Sequence, residues 1–153
     1  IVPDAMSSLA KGESILVRNP RATRPWQHVL EPLVGYLRLA EVLFLDSQPP
    51  CEAFNFGPNL SSNRSVSDLV STILHQWPGK WLDQSDPTSP HEANLLHLQI
   101  DKAYHRLGWQ PRWDFATTVN RTVGWYRAVH DGASPLDCCL ADLNTYTTSF
   151  PSI

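Results

Sequence analysis

The sequence predicts a mixed α/β fold that is mostly helical and has too few strands for a complete sheet. Three observations support this prediction. Apolar residues recur at helical spacing in much of the chain, only three short segments are typical of strands, and 13 prolines and 6 tryptophans divide the 153 residues into short elements. Because a parallel sheet needs more strands and covering layers than these, we expect something else to complete it.

The first part of the chain predicts a short helix, a strand and a basic loop. Apolar side chains at positions 5, 6, 9 and 10 predict a helix that Lys11-Gly12 ends. A strand is expected at residues 14–18, followed by a loop over residues 19–25 that two prolines interrupt. The arginines at positions 18, 21 and 24 form the densest group of positive charge in the sequence.

A helix, a strand and a second helix are predicted in the middle of the chain. Glu31-Pro32 favours a first helical turn, and the helix is expected to run to about Asp46. The segment from Cys51 to Phe56 is typical of a strand. Ser65-x-x-Asp68 resembles a capping box, so a helix is expected over about residues 65–77. The apolar stripe of the first helix consists of Leu33, Tyr36, Leu37, Ala40, Leu43 and Phe44.

Short elements precede one long helix in the last part of the chain. Trp81-Leu82 predicts a short strand. Asp101 is expected to cap a helix over residues 102–107, which the following glycine ends. Asp114 is expected to cap the longer helix, and leucines at positions 136, 140 and 143 indicate a further helix within residues 135–148.

Composition argues against several classes of protein. A net charge of −3 argues against a nucleic-acid partner. No segment approaches the roughly 18 continuous apolar residues of a membrane span, and the first residues lack a secretory signal pattern. Three cysteines without zinc-type spacing argue against a disulfide framework and against a metal site. We therefore expect a cytoplasmic protein without a membrane, metal or nucleic-acid partner.

The sequence contains no familiar catalytic or cofactor motif. It has no Gly-x-Ser-x-Gly elbow for a nucleophilic serine, and no glycine-rich loop for a phosphate or a dinucleotide. The histidines at positions 75, 97, 105 and 130 lie in helical or apolar runs, where structural or solvent-facing roles are much commoner than catalysis. No catalytic residue is therefore predicted in this chain.

The arginine-rich loop is the candidate binding feature that the residues themselves indicate. Guanidinium groups match phosphate oxygens with paired hydrogen bonds, and prolines stiffen the loop that carries Arg18, Arg21 and Arg24. A phosphoryl ligand is one interpretation. A solvated basic turn paired with neighbouring acidic residues is the other, and the spacing does not distinguish them.

Several blocks of the sequence together resemble one family. The longest block is Arg24-Pro25-Trp26-Gln27-His28-Val29-Leu30-Glu31-Pro32, within residues 18–37. Later blocks follow in the family's order: Phe54-Asn55-Phe56-Gly57-Pro58, Pro90-His91-Glu92-Ala93, Leu107-Gly108-Trp109-Gln110-Pro111 and Thr122-Val123-Gly124-Trp125-Tyr126. Over about residues 1–132, the chain resembles the CDP-glucose 4,6-dehydratases.

This resemblance implies the C-terminal, substrate-binding part of an extended short-chain dehydrogenase/reductase that lacks most of the Rossmann sheet. In that family an N-terminal Rossmann half holds NAD and a catalytic Tyr-x-x-x-Lys. The motif is missing here, since each tyrosine is followed four positions later by Ala40, Gly108, His130 or Phe150. The intact enzyme converts CDP-glucose to CDP-4-keto-6-deoxyglucose and water with NAD. We expect the chain alone to be inactive, to need the missing half, and to form a homo-oligomer when intact.

The resemblance also implies which residues contact the substrate. Arg24 matches the arginine that grips the pyrophosphate in extended family members. Asn55 matches a residue at a strand end near the cofactor and the substrate. His91 and Glu92 lie where relatives place nucleotide or phosphate contacts. These four residues are the principal candidates for a substrate site.

Three points stay open. Arg18 and His28 belong to the same block as Arg24, and a substrate contact and a structural role are equally consistent with the pattern. The second open point is the enzyme class. Another nucleotide-sugar epimerase or dehydratase, or a stand-alone nucleotide-binding module without catalysis, would share parts of the same sequence pattern. The third is the division of the chain, for which we expect a nucleotide-sugar-binding portion at residues 1–132 and a tail at residues 133–153.

Overall fold

The computed structural model describes residues 1–47, 52–86 and 95–148, and most of these residues are helical. The helices are α1 (Val2–Ala10), α2 (Leu30–Leu45), α3 (Val66–Gln76), α4 (Asp101–Leu107), α5 (Phe115–His130) and α6 (Pro135–Thr148). The strands are β1 (Ile15–Val17), β2 (Thr23–Pro25), β3 (Asn63–Ser65) and β4 (Trp81–Asp83). Within these ranges, no helix is long and apolar enough to cross a membrane. The predicted mixed, mostly helical fold is confirmed.

The strands form two small sheets. β1 lies parallel to β4, with Ile15 opposite Trp81, which confirms the predicted strands at both places. β2 lies antiparallel to β3. This second sheet corrects the prediction that residues 19–25 are a loop throughout. The Val66 N–H donates to Ala22 O at 2.9 Å, so a contact more than 40 residues away along the chain holds the segment extended.

The predicted strand from Cys51 to Phe56 is not formed. Cys51 lies outside the described residues, and residues 52–59 are irregular. Among the described residues no strand lies beside this segment, so side chains hold its backbone instead. Gln27 Nε2 donates to Phe56 O at 2.9 Å, and Lys102 Nζ donates to Ala53 O at 3.2 Å. The strand-forming residues of the segment are therefore not sufficient without a partner strand.

The predicted helices are confirmed, and local signals set most of their ends. At the start of α3, Ser65 Oγ accepts from Asp68 N at 3.0 Å, and Asp68 Oδ2 accepts from Ser65 N at 3.2 Å, which completes the capping box. Asp114 caps α5 by accepting the backbone N–H three residues later at 2.8 Å. The predicted Asp101 cap is wrong, because Asp101 is the first residue of α4 and accepts a bond from the Gln99 side chain instead.

Two clusters of buried side chains form the core. The larger cluster joins α1, β1, α3 and α5 through Ala5, Met6, Leu9, Ile15, Val17, Leu69, Val70, Ile73, Val119 and Val123. The smaller cluster consists of Phe56, Ala103, Leu107 and Trp109, with Val34, Leu39 and Val42 of α2 packed against it. The smaller cluster therefore fixes the segment around Phe56 between α2 and α4.

α2 exposes the apolar stripe that its sequence predicts. Leu37 is 70% exposed and Phe44 is 88% exposed, and Leu33, Tyr36 and Leu43 are exposed as well. The other side of α2 packs on the smaller cluster, so this helix is apolar on two faces. An exposed apolar face of this extent is typical of a surface that another protein part covers.

If a missing Rossmann half covers α2 and the segment around Asn55, as the resemblance implies, Leu33, Leu37, Phe54 and Phe56 should lie near one exposed face, and this expectation is only partly correct. Phe56 is buried, because its ring packs edge-on against Tyr36 and Trp109 at centroid distances of 5.4 and 5.0 Å. Phe54 is half-buried and has the ammonium group of Lys102 5.8 Å from its ring centroid. Of these two segments, α2 therefore provides the exposed apolar face.

Replacing Gly35 by alanine is expected to destabilise the fold. A methyl group at this position of α2 would overlap the Phe56 ring, which Tyr36 and Trp109 already hold in place. Overpacking of this kind costs about 1 to 3 kcal/mol in the free energy of unfolding, which chemical denaturation measures. Gly124→Ala is the matched control, since its methyl group would meet open space within α5 and should stabilise by about 0.5 to 1 kcal/mol. Equal stability of the two variants would contradict this account of Gly35.

Candidate functional site

Two arginines stand directly opposite each other in the β2–β3 sheet. Arg24 of β2 pairs in register with Arg64 of β3. Side chains of directly opposed residues in an antiparallel pair project from the same face. Arg24 is half-buried and donates from Nη1 to Thr23 O at 2.9 Å, whereas Arg64 is exposed. Guanidinium groups on directly opposed positions of a strand pair can contact one anion together.

The backbone around this arginine pair is held from several directions. Trp26 Nε1 donates to Arg64 O at 2.9 Å, which ties the end of β2 to β3. On the other edge of β2, Thr23 forms a parallel bridge with Leu95. Asn63 Nδ2 lies 3.5 Å from Leu96 O, so the same neighbouring segment also contacts β3. The arginine pair therefore lies on backbone that the strand pairing, the Trp26 indole and the segment at residues 95–96 hold in place.

Asn55 lies on the segment next to this backbone. The Gln27–Phe56 hydrogen bond described above connects the residue after Asn55 to the chain three residues beyond Arg24. Asn55 itself is exposed, and its Nδ2 lies 3.5 Å from Gln99 O. The structure thus brings together two sequence segments, around Arg24 and Asn55, that the resemblance named separately.

The other predicted site residues occupy different surroundings. Arg18 is exposed at the end of β1. Arg21 is exposed near Asp83, where hydrogen bonds from Ser85 hold the pKa of the Asp83 carboxyl below its usual value and the Arg21 charge adds to the effect. Arg21 therefore fits the interpretation of a solvated basic turn. His91 and Glu92 lie outside the described residues, so their roles stay predictions.

His28 is buried at the start of α2. Only 7% of its surface is exposed, and its ring lies edge-on to Trp113 with centroids 4.8 Å apart. Its Nδ1 accepts from Leu30 N at 3.3 Å. Burial lowers the pKa of this imidazole, and the carboxylates of Asp142 and Glu31 only partly oppose that effect. His28 is therefore a neutral, largely enclosed side chain on the side of α2 that faces α5 and α6.

Glu31 is a residue whose role the sequence did not indicate beyond a favourable first helical turn. It is fully buried, and its Oε1 accepts from the backbone N–H groups of Arg112 and Trp113 at 3.0 and 2.7 Å. Its Oε2 accepts from the Tyr146 hydroxyl at 2.7 Å. Since a buried carboxylate needs such donors, Glu31 ties α2, the turn before α5, and α6 together. Glu31 therefore has a structural role in the interior of the protein.

The Tyr146 contact with Glu31 predicts a pH dependence of stability. Burial, and then the bond to the Glu31 carboxylate, raise the pKa of Tyr146 above its ordinary value near 10. Above about pH 10 the unfolded chain loses this proton while the folded chain keeps it, so the free energy of unfolding should fall as the pH rises. Tyr146→Phe should lose about 1 to 3 kcal/mol at neutral pH, because Glu31 loses a donor.

Denaturation curves at several pH values between about 8 and about 11 test this prediction, since that window spans the ordinary tyrosine pKa of about 10. The Tyr146→Phe variant should lose less stability than the wild type between the lower and the upper end of the window. An equal loss in both proteins would show that Tyr146 does not keep its proton in the folded chain.

An apolar cleft of about 650 Å³ lies beside His28. Its wall consists mainly of apolar side chains of α1, of residues 26–33, and of α3, α5 and α6, with Gln27, His28, Thr118, Thr122 and Asp142 as polar members. Arg24, Arg64 and Asn55 do not line it. Trp26 lines the cleft and also donates to Arg64 O, so the cleft adjoins the arginine pair, although the positive charge belongs to the pair.

The described residues do not fit a dinucleotide or a clustered metal site. A dinucleotide turn needs glycines between a strand and a helix, but β1 leads into Arg18-Asn19-Pro20 and then into β2. Gly12, Gly108 and Gly132 have positive φ and lie at the ends of helices. The other glycines pack against side chains or, in the case of Gly124, lie within α5. Within the described ranges, no three metal-ligating side chains cluster. We therefore derive no step of NAD or metal chemistry from this chain.

Comparison with known proteins identifies two relatives of the chain by sequence. No protein-family model matches the chain. It is 35% identical over 151 residues to CDP-glucose 4,6-dehydratase of Salmonella typhimurium, which covers 97% of the chain and 42% of that protein. It is 30% identical over 131 residues to dTDP-glucose 4,6-dehydratase of Streptomyces antibioticus, covering 83% of the chain and 36% of that protein. The chain thus spans less than half the length of these relatives.

A solved structure shares the fold. The crystal structure of dTDP-glucose 4,6-dehydratase from Bacillus anthracis in complex with NAD superposes with a TM-score of 0.66 at 17% identity. The superposition covers 88% of this chain and 41% of that chain. At this identity the similarity establishes the fold alone. The share that is covered agrees with the share of the curated relatives that the sequence matches.

Proposed function

This chain is homologous to the C-terminal part of the CDP-glucose and dTDP-glucose 4,6-dehydratases, and from that premise we propose that it is the nucleotide-sugar-binding part of such an enzyme. The proposed substrate is CDP-glucose, because the CDP-glucose enzyme is the more similar of these two relatives. The proposed reaction of the whole enzyme is the conversion of CDP-glucose to CDP-4-keto-6-deoxyglucose and water. When bound, NAD would supply the oxidation and reduction.

One observation carries the proposal: Arg24 lies in the region of homology and in strand β2, directly opposite Arg64 and next to the segment that carries Asn55. A diphosphate carries its charge on oxygens that a guanidinium contacts with two hydrogen bonds at once. We propose that Arg24 binds the diphosphate of the nucleotide sugar. Charge-assisted contacts of this kind contribute about 1.5 to 3 kcal/mol.

The other site residues receive subordinate roles. Asn55 would donate or accept a hydrogen bond near the sugar, since its exposed amide lies on the segment next to the Arg24 strand. His91 and Glu92 would contact the nucleotide, as the resemblance implies. Arg18 would add positive charge at the end of β1. For His28 we favour a supporting role, because its imidazole is buried against Trp113.

We further propose that a Rossmann half covers the exposed stripe of α2 in the whole enzyme. That half would hold NAD and the Tyr-x-x-x-Lys that this chain lacks. The exposed apolar side chains of α2 support this partner, because burial of such area stabilises by about 25 cal/mol per Å². The proposed role of this chain is then to bind and orient the substrate. The homo-oligomer and the cytoplasmic location stay predictions from the sequence.

Calorimetric titration with a panel of nucleotide sugars tests the proposed substrate. CDP-glucose should bind more tightly than UDP-glucose, GDP-glucose and dTDP-glucose. Tighter binding of dTDP-glucose would favour the second candidate, a different nucleotide-sugar dehydratase, for which the 30% identity to the Streptomyces enzyme is the supporting observation. If no nucleotide sugar binds, the proposed function is wrong.

A further inference from the structure

We propose that Arg64 is a second ligand of the substrate diphosphate and shares it with Arg24. This inference rests on the proposed function and extends it to a residue that none of the sequence motifs includes. Its basis is the register of the β2–β3 sheet, in which Arg64 is the direct partner of Arg24. Forty residues separate the two arginines in the sequence, so only the fold brings them together.

The direction of the Arg64 side chain follows from the strand pairing. Directly opposed residues in an antiparallel pair have Cβ atoms roughly 4.5 to 5.5 Å apart on one face of the sheet. The backbone of Arg64 is fixed, because its carbonyl accepts from the Trp26 indole and the preceding Asn63 is held by contact with Leu96 O. Both guanidinium groups therefore start from fixed neighbouring positions and can reach the same ligand.

The charges around Arg64 favour an anion at this position. Within the described ranges, no carboxylate forms an ion pair with its guanidinium. The nearest acidic residue along β3 and α3 is Asp68, whose carboxylate is occupied in the capping box at Ser65. Arg64 therefore offers an exposed guanidinium, directly opposite Arg24, to which an anionic ligand can bind.

A diphosphate fits this pair better than a single carboxylate does. It offers two phosphoryl groups, so that each guanidinium can make its own paired contact with oxygen atoms. Arg64 is exposed and Arg24 is half-buried, which places Arg64 at the outer side of the pair. Arg24 then anchors the diphosphate, and Arg64 closes over it from the solvent side.

The test compares Arg64→Gln, Arg64→Lys and Arg24→Gln with the wild-type chain by calorimetry. Titrants are CDP-glucose and inorganic pyrophosphate, at low and at high salt. Arg64→Gln should weaken binding of both titrants by about tenfold or more, because it removes a charge-assisted contact. Arg64→Lys should recover part of this loss, since it keeps the charge but not the planar fork. The affinity of the Gln variant should also depend less on salt.

Arg127→Gln is the control, because this arginine donates to Gln76 O at the far end of α3 and lies away from β3. It should bind CDP-glucose as the wild type does. Thermal unfolding without ligand adds a second readout. Arg64→Gln should unfold at the wild-type temperature, because the Arg64 guanidinium forms no ion pair within the described ranges. A merely structural arginine would give a lower unfolding temperature.

The outcomes separate this inference from the proposed function. If Arg24→Gln weakens binding and Arg64→Gln does not, Arg64 is no ligand and the proposed function stands. If Arg64→Gln weakens binding only together with a loss of unfolding temperature, the role is structural and the inference is overturned. If the wild-type chain binds neither titrant, the proposed function fails, and this inference fails with it.

Discussion

Replacing Arg24 by alanine should weaken the binding of CDP-glucose by roughly tenfold to a hundredfold, because hydrogen bonds to charged groups contribute about 1.5 to 3 kcal/mol. Arg24→Lys should give a smaller loss, since an ammonium group keeps the charge but cannot contact two oxygens from one plane. The physical reason lies in the position of Arg24, which is half-buried in a strand that Trp26 and Thr23 hold in place. Calorimetric titration measures the effect.

Two controls make the Arg24 result specific. Circular dichroism should show unchanged helix content in both variants, because Arg24 lies in β2 and in none of the helices. Arg127→Ala removes an arginine of α5 that donates to Gln76 O at the end of α3, and it should leave the affinity unchanged. Unaltered affinity in Arg24→Ala would mean that the arginine strand is a solvated surface.

The exposed face of α2 leads to the second large effect, which is on the state of association. The isolated chain should self-associate, and a Rossmann half supplied in trans should replace this self-association and raise the unfolding temperature. Leu37 and Phe44 are 70% and 88% exposed, so Leu37→Glu and Phe44→Glu should reduce association without loss of packing. Light scattering coupled to size-exclusion chromatography measures the mass.

Leu60→Glu is the matched control for this experiment. Leu60 is 68% exposed but lies in the short 3-10 turn before β3, away from α2, so its substitution should leave association unchanged. A wild-type chain that is a monodisperse monomer with a high unfolding temperature would contradict the prediction. That result would favour a stand-alone nucleotide-binding module.

Local signals in the sequence were sufficient for the helices. Ser65 with Asp68 and Asp114 mark helix starts through bonds to residues at most three positions away, and such bonds can be read from spacing. Gly108 ends α4 in the left-handed conformation for the same local reason. The apolar stripe of α2 was also visible, but its spacing could not reveal that the described residues leave it uncovered.

Contacts between distant residues account for what the sequence did not reveal. The β2–β3 sheet depends on a register between segments 40 residues apart, and Arg64 has no motif of its own. The bonds from Glu31 to Trp113 and Tyr146 span 82 and 115 residues. The segment at residues 52–59 has strand-forming side chains but no described partner strand. The arginine-rich loop and the family resemblance both indicated Arg24, and the resemblance indicated Asn55, whereas only the fold shows that the two segments are joined through Gln27 and Phe56.

The most direct test of the central claim is the formation of 4-keto sugar from CDP-glucose in the presence of NAD. The assay compares this chain alone with the same chain joined behind the N-terminal part of the Salmonella enzyme, which this chain does not match. We expect product only from the joined protein, and much less product when it carries Arg24→Ala. Product from the chain alone, or a joined protein that holds NAD but does not bind CDP-glucose, would contradict the assignment of this chain as the nucleotide-sugar-binding part.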